Sequence, residues 1–108
     1  MAWKINFYTG VEAAILEMPE KIQARMIHLL EMIEIHGANL GEPHTKSLGN
    51  GLFEIRAKAK EGLGRGLYCY MDGQSVQILH AFVKKDQKTP KKDLDLARNR
   101  MKEVKNES

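Results

Sequence analysis

Seven cations crowd the stretch from residue 56 to residue 88: Arg56, Lys58, Lys60, Arg65, Lys84, Lys85 and Lys88. Their spacing groups them. Arg56 and Lys58 are two residues apart in the run LFEIRAKAK, so a strand of period two puts both on one face. Arg65 opens the next apolar run just across a glycine-bearing turn, within reach of that face. Lys84, Lys85 and Lys88 leave the following run at its end. Such a group binds RNA phosphates. It also suits phosphodiester cleavage, in which a 2′-hydroxyl attacks the adjacent phosphate and fixed guanidinium groups stabilise the charge that builds on the phosphorane. Crowding among like charges is what lets a lysine serve as base or acid near neutral pH. The same set would also serve to hold phosphates without cutting them, or to pair with an acidic protein partner. Spacing alone leaves these readings open.

Other chemistries find no foothold. The histidines His28, His36, His44 and His80 and the lone Cys69 show no metal-ligand spacing, and no glycine-rich phosphate loop is present. Neither a metal nor a cofactor is expected. Cys69 lies inside an apolar strand pattern, the setting of a buried and inert thiol. His28 falls within a helical pattern and His80 within an apolar strand, both structural settings.

Charge follows the same division. The net charge of +3 hides three cations against six acids in residues 1–45, and fourteen against eight in residues 46–108. A one-sided basic surface is the footprint of a nucleic-acid binder, although a solvated lysine-rich surface has the same charge count. With 108 residues and 43% apolar content the chain reads as one domain, 1–108. No apolar run approaches the roughly 20 residues of a membrane helix. The opening MAWKINFYTG has no basic region leading into a long apolar stretch, so no signal peptide is expected, and the cytoplasm is the expected location.

The elements that must position the cations follow from periodicity. Trp3 to Tyr8 reads as a strand. Thr9 and Glu12 have capping-box spacing before a short helix with Val11, Ala14, Ile15 and Met18 on one side. Pro19 is expected to open a second helix, which runs to His36 on a stripe of Ile22, Met26, Leu29, Leu30 and Ile33. Gly37 ends it. Residues 38–51 are turn-rich and read as irregular. Leu52 to Lys58 alternates, with Phe53, Ile55 and Ala57 toward a core and Glu54, Arg56 and Lys58 on an open polar face. Strands at Arg65–Met71 and Ser75–Val83 follow, joined by tight turns at residues 60–64 and at Asp72-Gly73, so the three are antiparallel neighbours. Thr89 is the expected N-cap of a last helix opened by Pro90, with Leu94, Ala97, Met101 and Val104 as its docking stripe.

The string from Lys46 to Met101, with KSLGNGLFEIRA, RGLYCY and LHAFVKKDQKTP in order and a helix carrying ARNRM behind them, resembles the RelE/ParE superfamily of toxins from type II toxin–antitoxin systems, and more closely its phage-derived HigB-like branch. The resemblance spans nearly the whole chain. It implies an α+β, RelE-like fold: a small, mostly antiparallel sheet with an N-terminal helical hairpin on one face and a C-terminal helix beside it. It implies a ribosome-dependent mRNA endonuclease, working without a metal, with a cognate antitoxin of helix-turn-helix type, the ribosome and mRNA as partners, and no membrane. By position in the motifs, Arg56, Lys58, Arg65 and Lys85 would be catalytic, with Arg65 as transition-state stabiliser, and Lys46, Lys60, Lys84 and Lys88 would bind RNA. Glu54 stands where some relatives have lysine, and Lys91 where some have a catalytic tyrosine. That leaves the general base unassigned, with Tyr68, Tyr70 and His80 as candidates. Two other functions fit the same superfamily: inhibition of DNA gyrase through protein contacts, and binding of antitoxin or RNA without catalysis.

Overall fold

The alternating and helical patterns produce, in chain order, β1 (Lys4–Phe7), α1 (Val11–Leu16), α2 (Glu20–His36), β2 (Thr45–Gly49), β3 (Leu52–Ala59), β4 (Gly62–Met71), β5 (Ser75–Lys84) and α3 (Lys91–Glu107). The computed structural model describes residues 2–84 and 88–107. The strands form one sheet in the order β1-β5-β4-β3-β2. β2 to β5 pair antiparallel, and β1 pairs parallel with β5 at the far edge. Among the described residues no helix is long and apolar enough to cross a membrane.

The sheet is covered on both faces. On one, α1 and α2 bury Val11, Ile15, Ile22, Met26, Leu29 and Ile33 against Ile55, Ala57, Tyr68, Val76 and Ile78. α2 approaches so closely that a Cβ on Gly64 would meet Ile22 Cγ2 at 2.5 Å. On the other face α3 docks through Ala97 onto Leu52, Leu67, Cys69 and Leu79. The face expected to be open and polar is therefore a second, smaller core. A register shift in the β4–β5 ladder between Leu67 and Tyr68 sets this up. It is a β-bulge: Leu79 joins the α3-side core, and the adjacent His80 reaches α3 as well, through Asp93.

Three local expectations change. Residues 45–49 are not irregular: they form β2, an edge strand irregular between Ser47 and Gly49. With Leu48 its only large apolar residue, it gives no alternation to read. The capping box does not form, because Gly10 in a left-handed conformation (φ 85°) is the N-cap of α1 and no side chain caps it. Pro19 is the N-cap of α2 rather than its first residue. That helix start is instead capped from afar: Lys21 and Ile22 donate their backbone N–H to Glu61 Oε1, at 3.0 and 3.3 Å, from the β3–β4 turn.

Candidate nucleic-acid interface

β3 and β4 place Arg56 and Arg65 directly opposite each other. Cross-strand partners project to the same face, so two guanidinium groups meet where like charges repel. Glu54, two residues along β3, offsets this. Its Oε1 lies 3.6 Å from Arg56 Nε and its Oε2 4.0 Å from Arg65 Nε. The Thr89 hydroxyl donates to Glu54 Oε2 and accepts from Arg65 Nη1 at 3.4 Å. Thr89 thus clamps the cluster instead of capping the last helix, where Leu94 N–H donates to the Pro90 carbonyl.

This clamp divides the predicted cations by depth. Arg65 is fully buried, while the Arg56 side chain keeps 27% of its surface in solvent. Glu54, expected on an open polar face, is 4% exposed. The reason is the approach to α3, whose Thr89 covers the pair; alternation tells which face a residue takes, not how deeply it sits.

Arg56 is also where the edge of β3 opens. β2 pairs with β3 only as far as Thr45 and Ile55, and the last tie is Arg56 N–H donating to the His44 carbonyl at 2.9 Å. Beyond it a cleft of about 670 Å³ runs along the free edge and the β3–β4 turn, with Arg25, His44, Arg56, Lys58, Lys60 and Glu61 among its walls. Arg25 comes from α2 and His44 from the loop before β2. Neither belonged to the sequence-based set; Arg25 lies far from β3 along the chain and His44 in the turn-rich stretch just before β2, and only a charged position beside the Ile22–Met26 stripe hints at Arg25.

The other predicted cations disperse. Lys58, Leu63 and Lys84 form one row across β3, β4 and β5, which puts the two lysines about 10 Å apart by strand spacing. Lys84 and Lys88 are exposed, as is Lys46 on β2 opposite Glu54. Lys85 lies outside the described residues.

The candidate bases sort by face. The Tyr68 hydroxyl donates to the Ala38 carbonyl at 2.6 Å, and burial followed by the nearby Tyr70 pushes its pKa well above the ordinary tyrosine value. Tyr70 stacks on Phe53 with ring centroids 4.8 Å apart, and burial raises its pKa too. Both tyrosines pack with the α1–α2 core, on the sheet face opposite Arg56 and Arg65. His80 shares the face of the arginines, but its Nε2 is 2.7 Å from Asp93 Oδ1. It fastens the start of α3, packed on Phe82. Burial pushes the Cys69 thiol up as well, consistent with an inert core residue. Among the described residues no three His, Cys, Asp or Glu side chains gather as a metal-binding set.

Comparison with known proteins gives a family and a fold. The sequence matches the family described as phage derived protein Gp49-like over residues 13–102. No curated protein is significantly similar in sequence. Three solved structures share the fold. An arginine-to-alanine double mutant of the Escherichia coli toxin RelE in the free state aligns over 94% of this chain and 99% of its own, at 13% identity and a TM-score of 0.67. The archaeal RelE–RelB complex from Pyrococcus horikoshii aligns over 82% of this chain and 100% of its own, at 15% identity and a TM-score of 0.58. A RelBE toxin–antitoxin complex from Mycobacterium tuberculosis aligns over 78% of this chain and 100% of its own, at 19% identity and a TM-score of 0.57.

Proposed function

This chain belongs to the phage-derived Gp49-like family and carries a RelE-like fold, and from that premise we propose that it is the toxin of a type II toxin–antitoxin pair, a HigB-like endonuclease that cuts mRNA on the ribosome. The observation that carries this reading is the cleft at the free edge of β3, where Arg25, His44, Arg56, Lys58 and Lys60 converge.

In this reading Arg56 and Lys58 bind the scissile phosphate. The 2′-oxygen forms its bond to phosphorus as the bond to the 5′-oxygen breaks, leaving a 2′,3′-cyclic phosphate and a 5′-hydroxyl. Arg56 and Lys58 stabilise the charge on the phosphorane oxygens. Histidine is the side chain that ordinarily changes charge near neutral pH, and His44 is the histidine on the cleft wall. It takes the proton from the 2′-hydroxyl, and water gives the departing 5′-oxygen the proton that makes it a hydroxyl. Arg65, buried behind Arg56, does not touch RNA in this arrangement; it holds Glu54 and through it Arg56. It is a positioning residue, where motif position had made it a transition-state stabiliser. Lys46, Lys60, Lys84 and Lys88 bind flanking phosphates, and Lys85 keeps the catalytic role its motif position suggests.

In-line attack requires that the RNA chain be held in one geometry. The ribosome supplies that positioning. The partner that restrains the protein is a cognate antitoxin of helix-turn-helix type; two of the structures with this fold are complexes of RelE with RelB.

Cell-free translation with the purified protein, followed by primer extension on the message with and without ribosomes, tests the reading. Cuts on translated message alone are expected. Cuts on naked RNA would overturn the dependence on the ribosome, and intact message under active translation would overturn the nuclease.

A further inference from the structure

The opposite edge of the sheet carries a different surface. α1, α2 and β1 enclose a groove of about 290 Å³ floored by Ile5, Phe7 and Leu30, with Leu16 and Ile27 on its lips. The exposed large hydrophobic residues among the described ones are Leu16, Ile27 and Ile35, at 59%, 37% and 70%. All lie on the α1–α2 pair. Ile27 and Glu31 line the groove one helical turn apart on α2, and Ile35 is exposed one turn further along the helix. The rim is acidic: Glu12 from α1, and Glu31 and Glu34 from α2. Contiguous exposed apolar surface edged by charge marks an interaction site, and none of these residues takes part in the cation cleft.

We propose that this groove seats an amphipathic helix of a protein partner, with large aliphatic side chains on one face and lysines or arginines flanking them. The shape fits the helix-in-groove mode, in which anchors at i, i+3 or i+4, and i+7 enter an apolar trough. The rim selects the flanking charge, since three carboxylates around a partly dry trough favour cations. The same rim disfavours other occupants. A second copy docking by two-fold symmetry sets a patch against itself, bringing Glu12, Glu31 and Glu34 against their own counterparts. RNA and an anionic lipid surface meet like charge. The inference does not rest on the RNA-cleavage reading, because the groove lies at the β1 edge of the sheet and the cleft beside β3, beyond the end of β2.

The test uses the full chain and two synthetic peptides about 18 residues long, enough to hold a helix. Both carry the same leucine stripe; one is flanked by lysine and arginine, the other by glutamate. Backbone amide NMR shifts map the contact. The basic peptide is expected to move Ile5, Phe7, Leu16, Ile27 and Leu30, and to bind at least about tenfold tighter than the acidic one. In the double variant Glu31→Lys, Glu34→Lys the preference should reverse, and Lys58→Ala, in the cleft, should leave binding unchanged. A preference that survives the charge reversal, or shifts that collect at Arg56 and Lys58, would overturn the proposal. So would self-association in sedimentation that Ile27→Asp abolishes, which would assign the groove to a second copy.

Discussion

The two faces of the sheet are held by different physics. Under α1 and α2 the contact is almost wholly apolar, with Ile22, Met26, Leu29 and Ile33 fully buried. Under α3 a small apolar patch is surrounded by polar ties. Asp93 meets His80 at 2.7 Å, Arg100 donates to the Leu79 carbonyl at 2.8 Å, Lys105 donates to the Tyr70 carbonyl at 2.8 Å, and Arg98 donates to the Leu48 carbonyl at 3.2 Å. The Arg100 guanidinium also lies 4.4 Å from the Tyr8 ring centre, and the Tyr8 hydroxyl donates to Glu103. Apolar packing tolerates salt and pH. Polar ties do not, and the Arg56–Glu54–Arg65 cluster belongs to the polar side. The cation site therefore sits on the face whose stability follows solution conditions.

The sharpest break is Arg65→Ala. It empties a fully buried side-chain site and takes from Glu54 one of its two cations, and is expected to cost about 3–5 kcal/mol, read by denaturant unfolding; Arg56→Ala, at the solvent side of the same cluster, should stay within about 1 kcal/mol while abolishing mRNA cleavage in the translation assay. Equal stability losses for the two would mean that depth does not separate them. On the apolar face Leu29→Ala should cost about 2–5 kcal/mol, by the same amount at low and high salt. Asp93→Asn weakens the hydrogen bond with His80 and should cost about 1–3 kcal/mol in the same unfolding measurement; no loss would mean that the polar ties do not hold α3.

The smallest effect is Tyr68→Phe, about 1 kcal/mol for its hydrogen bond to Ala38. It carries a pH signature. The folded pKa of Tyr68 is raised above its unfolded value of about 10, so its contribution is intact below that value and is lost as pH rises toward the folded pKa. Wild-type stability should fall above about pH 10, and Tyr68→Phe should flatten part of that decline.

Much of this was readable in advance. β3 and α2 announce themselves through period, and β4 and β5 as short apolar runs bounded by turns, buried on both faces. β2 does not, since a strand at the sheet edge needs backbone pairing and little else, and TKSLG offers one large apolar side chain. The cations of β3 were legible as a face, and their depth was not: whether Glu54 and Arg65 are wet depends on Thr89, over twenty residues away from either. Arg25 and His44 join the cleft through tertiary packing, which no local pattern encodes. Thr9 and Glu12 had the right spacing for a cap, and Gly10 between them took the left-handed turn that made it unnecessary.

The parallel pairing of β1 with β5 has a consequence for the order in which the protein can assemble. Lys4 to Phe7 find their partners at Ser75 to Ile78, and α1 also rests on β5. As the chain leaves the ribosome, its first sixteen residues can touch α2 but lack their sheet partner until more than two thirds of the sequence has been made. Pairing across such a separation is slow, and a chain halted before β5 would have β1 and β4 with an empty lane between them. Completion of the fold thus waits for the late part of translation. A premature stop leaves a fragment suited to proteolysis, not a partly working protein.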